Sequence, residues 1–94
     1  MAQLIVRHKV KDYGKWKPFF DEHGTQRKAA GSKGGRIFRS EKDPNEVVIL
    51  FEWEDLGKAR KFAESEDLRQ RMERAGIVGK PDLYFLEEIG KFTA

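Results

Sequence analysis

Residues 46–54 read Glu-Val-Val-Ile-Leu-Phe-Glu-Trp-Glu, and from Val47 to Phe51 every position is apolar. A strand points successive side chains to opposite faces, so this run needs apolar cover on both of its sides. The chain that must provide the cover has 94 residues. That length suits one domain, spanning 1–94, which buries only about 60–65% of its unfolded surface. A single layer of helices covers one face of a sheet. The other face has to be covered in some other way.

The flanking sequence supplies the layer. Residues 3–10, Gln-Leu-Ile-Val-Arg-His-Lys-Val, alternate and are rich in β-branched side chains, which predicts a strand. Asp12 can cap a following helix, and Tyr13, Trp16, Phe20, His23 and Arg27 recur at spacings of three and four. They mark one face of a helix reaching about Ala30, with Gly31 as its stop and a kink expected at Pro18. Residues 32–35 read as a flexible loop and 36–41 as a second strand, closed by an Asp43-Pro44-Asn45-Glu46 turn. Asp55 can cap a short helix carrying Leu56, Ala59, Phe62 and Ala63. Ser65 can cap another, with Glu66 and Asp67 in its first turn and Leu68, Met72 and Ala75 on its buried side. Pro81 should introduce the last strand, 82–89.

The order is therefore β-α-β-β-α-β, an α+β ferredoxin-like fold with a four-stranded antiparallel sheet. The last strand repeats the two-sided apolarity, as Leu83-Tyr84-Phe85-Leu86. A monomer would expose a large apolar patch, so two sheets are expected face to face across a two-fold axis, as a homodimer. Arg7 and Glu52, on the parity assigned to that interface, are expected to pair across strands.

Several function classes are disfavoured. The sequence has no cysteine, which removes thiolate nucleophiles and Cys-ligated metal. It has only two histidines and no metal-ligand spacing, so no metal or cofactor is expected. No apolar run approaches the roughly 18 residues of a membrane span, and no signal-peptide pattern opens the chain, which points to a cytoplasmic address. Nineteen basic against sixteen acidic residues make a mixed surface, not a nucleic-acid stripe. Strand 46–54 also lacks the glycines and basic start of an RNA-binding platform. The Gly31-Ser32-Lys33-Gly34-Gly35 stretch precedes a strand, so it is no phosphate-binding loop.

What remains is histidine chemistry. His8 shares strand parity with Leu4, Val6 and Val10, and His23 lies one helical turn beyond Phe20. Both should face the space between sheet and helices, where imidazole is the side chain that titrates near neutrality. If strand three turns its odd residues toward the helices, Phe51 and Trp53 join Trp16 and Phe20 there. The expected site has His8 and His23 as proton acceptors, and Trp16, Phe20, Phe51 and Trp53 as walls for a small aromatic ligand.

These residues carry a resemblance. Val6-Arg7-His8-Lys9-Val10, Asp12-Tyr13, Trp16 and Phe20-Asp21-Glu22-His23 resemble the start of the antibiotic biosynthesis monooxygenase superfamily of dimeric α+β-barrel proteins. Phe51-Glu52-Trp53, the helix from Ala59 to Phe62 and Ser65-Glu66-Asp67-Leu68 extend the likeness over nearly the whole chain. It implies a face-to-face dimer with a pocket between sheet and helices in each subunit. Such proteins include cofactor-free oxygenases of aromatic polyketides, quinol oxygenases, haem-degrading enzymes and polyketide cyclases. Residues 55–81 hold no histidine to serve as a haem axial ligand, and Gly76–Pro81 offers no cyclase His or Tyr. The expectation is a cofactor-independent monooxygenase-like enzyme for a small aromatic or quinone-like substrate; the alternative is a non-catalytic dimeric ligand-binding or assembly domain.

Overall fold

Asp12 ends the first strand and starts the first helix: its carboxylate accepts the Gly14 N–H at 2.9 Å, and backbone bonds run from Lys15 and Trp16 back to its carbonyl. Asp55 and Ser65 act likewise, accepting from the N–H groups of Lys58 and Leu68. The computed structural model describes residues 2–94, and the side chain of Asp67 lies outside that description. Its elements are β1 (Ala2–Val10), α1 (Tyr13–Glu22), α2 (Gly24–Ala30), β2 (Ser32–Arg39), β3 (Glu46–Trp53), α3 (Leu56–Ala63), α4 (Glu66–Arg74) and β4 (Ile77–Glu87).

The four strands form one antiparallel sheet in the order β2-β3-β1-β4, the ferredoxin-like arrangement. In register, Leu4 sits opposite Phe51 and Phe85, Val6 opposite Ile49 and Leu83, and His8 opposite Val47. These residues face the helices. Leu4, Val47 and Trp53 are fully enclosed there, with Val6, Ile49, Phe51, Trp16 and Ala59 buried around them. The other face carries Ile5 opposite Leu50 and Tyr84, flanked by Val48, Phe38 and Leu86. Phe38, Tyr84 and Leu86 remain 49%, 52% and 40% exposed, so this apolar face has no cover within the chain.

Four expectations are corrected. The first helical segment does not run unbroken to Ala30: Pro18 sits inside α1, and the break comes at His23, the C-cap of α1 and N-cap of α2. Gly24, a poor helix former, follows the break, and His23 gives its backbone N–H to the Phe20 and Asp21 carbonyls. Ser32 to Gly35 is not a loop but the start of β2, distorted by an irregularity between Ser32 and Gly34, where Gly34 has φ of 102°. At Gly35 a Cβ would lie 1.9 Å from the Leu50 carbonyl oxygen, so only glycine fits that approach of β2 to β3. The last strand starts at Ile77, ahead of Pro81: Ile77 and Val78 pair with Val10 and Lys9, and a bulge absorbs the intervening glycine and proline. Finally, Arg7 does not meet Glu52. It spans from Glu46 to Asp82, at 3.0 Å from the latter, because the register sets Glu52 opposite Gln3.

Candidate functional site

Strand periodicity turns His8 inward from β1, and the helical period turns Trp16, Phe20 and His23 down from α1. Between them, β1, β3, β4 and the four helices line a half-open cavity of about 80 Å³. His8, His23, Trp16, Phe20 and Phe51 all line it. Trp53, expected as the fourth wall, does not. It points to the helix side as its parity requires, but it lies at the far end of β3, opposite Ala2 and Ser32. There it packs on Phe62 at 5.1 Å between ring centres, and Phe51 separates it from the cavity.

The rings form a continuous chain. His8 meets Trp16 edge-on at 5.6 Å, Trp16 lies 5.0 Å from Phe20, and Phe20 lies 6.2 Å from Phe51. These are ordinary separations for favourable aromatic pairs. They hold the walls without filling the space.

The two histidines differ. His8 is 6% exposed, and neither ring nitrogen has a hydrogen-bond partner among the described residues. Burial lowers its pKa from 6.5 to about 4, since an imidazolium in this apolar space would lose its hydration without compensation. Near neutral pH it is an uncharged imidazole with one donor and one acceptor unused. Buried polar atoms are rarely left so, and each such group calls for an explanation. His23 is half-buried at the α1–α2 junction, and its Nδ1 donates to the Phe19 carbonyl at 2.8 Å. In the neutral ring that bond leaves Nε2 as the acceptor.

The cavity includes residues that sequence reasoning did not assign to a site. Arg27 lines it from α2, and Arg71, Met72 and Leu68 from α4. The Arg27 guanidinium stacks 3.7 Å above the Phe20 ring and donates to the Phe20 carbonyl at 2.7 Å. Its signal was already present, since Arg27 continues the stripe through Phe20 and His23. Among the described residues no three His, Cys, Asp or Glu side chains cluster as a metal site. None of the described helices is long and apolar enough to cross a membrane.

No protein-family model matches the chain, and no curated protein sequence does either. Solved structures match strongly. An antibiotic biosynthesis monooxygenase aligns at TM-score 0.71 and 16% identity, over 96% of this chain and 100% of its own. A protein from Bordetella bronchiseptica provisionally named for the same activity aligns at TM-score 0.78 and 16% identity, over 94% and 96%. This chain has the antibiotic biosynthesis monooxygenase fold. A cofactor-independent oxygenase from Streptomyces nogalater shares it at TM-score 0.74 and 12% identity, over 99% of this chain and 97% of that one. At these identities the likeness concerns the fold. The chemistry must be argued from the cavity.

Proposed function

We propose that this chain is a cofactor-independent monooxygenase-like enzyme acting on a small aromatic or quinone-like substrate in the cavity between sheet and helices. The observation that carries the reading is His8, a buried neutral imidazole with both nitrogens unpaired, on the wall of an aromatic cavity. A phenol lodged against Trp16, Phe20 and Phe51 gives its hydroxyl proton to His8. The imidazolium then faces the phenolate it has created, and their attraction offsets the desolvation that otherwise keeps His8 neutral. His23, with Nδ1 fixed on the Phe19 carbonyl, offers Nε2 as a second acceptor. Across the whole reaction one phenol and one dioxygen become one quinone and one water, so no external reductant is consumed. The Streptomyces nogalater oxygenase of the same fold supports chemistry without a cofactor.

The working unit in this reading is a homodimer joined through the open sheet faces. The half-covered Ile5, Val48 and Leu50 and the exposed Phe38, Tyr84 and Leu86 support it, because a two-fold partner would cover this patch with its own copy.

The test is oxygen uptake with methoxy-substituted phenols, read against quinone formation. His8→Ala is expected to lower turnover by about 10²–10⁴-fold, the usual contribution of a general base, while the protein stays folded. Unchanged turnover in His8→Ala, or a wild type no faster than the uncatalysed reaction, overturns the catalytic role. The depressed proton affinity of His8 favours a second reading, a dimeric domain that binds a small ligand without converting it. Ligand binding without turnover selects that reading.

A further inference from the structure

The cavity is apolar over most of its wall, yet its titratable groups are sorted by sign. His8, His23, Arg27 and Arg71 line it, and among the described residues no aspartate or glutamate does. The chain as a whole carries 19 Lys and Arg against 16 Asp and Glu, so a mixed surface would have supplied both signs. In a low-dielectric space such a set attracts anions and resists cations.

Arg27 is the most informative member. Its guanidinium lies flat on the Phe20 ring and gives one N–H to the Phe20 carbonyl. Guanidinium carries five N–H donors in a rigid fork, so this arrangement leaves donors over and holds them in a fixed plane. The described ion pairs do not include Arg27. The nearby acid, Asp21, is held by Lys17 through both carboxylate oxygens, at 2.8 and 2.7 Å. Burial also lowers the pKa of Arg27, the direction expected for a cation that has lost water without gaining a full counter-charge.

Size narrows the ligand further. An apolar void of roughly 150 Å³ holds a benzene molecule. At about 80 Å³ this cavity is nearer the size of one ring than of a fused polycycle, and a ring enters with some yielding of its wall. The wall that can yield is on α4, where Leu68 and Met72 are both partly exposed, and Met side chains adapt readily. A flat cation next to a flat aromatic slot matches the planar geometry of a carboxylate.

We propose that the cavity selects single-ring aromatic carboxylates, with the ring against Trp16, Phe20 and Phe51 and the carboxylate on the guanidinium of Arg27. This rests on the same pocket as the proposed function and names the class of ligand it takes. Arg27 is then a specificity-determining residue, and His8 faces the ring.

The test titrates the full-length protein with benzoate and with its neutral isostere benzamide, following tryptophan fluorescence, since Trp16 lines the cavity. Wild type is expected to bind benzoate at least about tenfold more tightly than benzamide, as charge-assisted hydrogen bonds exceed neutral ones. Arg27→Gln should abolish that preference by weakening benzoate alone, and Arg27→Lys should keep part of it. Equal binding of the two probes by wild type overturns the carboxylate inference and leaves the aromatic pocket standing. Binding of neither overturns the inference and the pocket together. A preference that survives in Arg27→Gln also overturns the inference. Because Arg27 helps to hold Phe20, an unfolded Arg27→Gln would leave the wild-type ratio and the Arg27→Lys variant to decide the matter.

Discussion

The two faces of the sheet are built from alternate residues of the same strands, and they differ in how they are finished. On the helix side, Leu4, Val6, Ile49 and Phe51 are sealed under α1, α3 and α4, and the one buried imidazole there is the unpaired His8. On the open side, Ile5, Val48, Leu50 and Tyr84 are comparably apolar but half-covered at best, and Arg7 is laid across them between Glu46 and Asp82. The closed face contains a cavity that its own chain completes. The open face contains a surface that its own chain does not complete. The proposed function therefore sets ligand chemistry and association on opposite sides of one sheet only about 10 Å thick with its packed layer.

The largest expected effect lies on the open face. Leu50→Asp places a carboxylate where a partner's apolar surface would sit, and a buried charge without a partner costs several kcal/mol. Sedimentation should show the wild type at twice the 10.9 kDa chain mass and the variant at the single-chain mass. A wild type that already sediments as one chain removes the open face's role in association.

Neighbouring residues give the next contrast. Leu4→Ala opens a cavity in a sealed core and should cost about 2–5 kcal/mol in chemical denaturation, whereas Ile5→Ala, on a half-covered site, should cost less than half as much. Equal losses would mean that the dimer seals the open face as tightly as the helices seal the other.

The smallest effect is a pH dependence confined to the closed face. The folded-state pKa of His8, about 4, lies below its unfolded value of 6.5. Above pH 6.5 both states carry the neutral ring and the fold keeps its full stability. Between 6.5 and 4 the unfolded chain takes up the proton first, so stability falls as pH falls, by at most about 3 kcal/mol. His8→Leu should remove that part of the decline, which the difference between the two stability–pH curves measures directly. Binding of an aromatic anion should also shrink it, by stabilising the imidazolium.

The sequence made the faces legible but not the depths. Strand parity is set by covalent geometry, so placing His8 with Leu4 and Val6 needed no tertiary information. The caps at Asp12, Asp55 and Ser65 were legible for the same reason, since each acts within three residues of itself. Trp53 shows the limit. Its face followed from parity, but its distance along β3 from His8 depended on the pairing register, which is a property of two strands. The early start of β4 was hidden because Gly79 and Pro81 read locally as breakers, while the pairing of Ile77 and Val78 with Val10 and Lys9 is a long-range gain. The break at His23 was masked by a stripe that continues across it through Arg27. The α4 residues of the cavity, Leu68, Arg71 and Met72, depend on how that helix lies over the sheet, and no local pattern encodes that.

Asn45 ends the turn before β3, and its contacts reach well beyond that hairpin. Its backbone N–H bonds the Asp43 carboxylate, its carbonyl accepts from Val10, and its side-chain oxygen accepts from Tyr13 at the first turn of α1. One short polar residue thereby pins together the end of β1, the start of α1 and the β2–β3 turn. His8 lies two residues before the first of these anchors and Trp16 three residues after the second. The spacing between His8 and Trp16 is therefore tied to a joint outside the cavity. Tightening or slackening that joint would retune the slot between imidazole and indole without altering any residue that lines it.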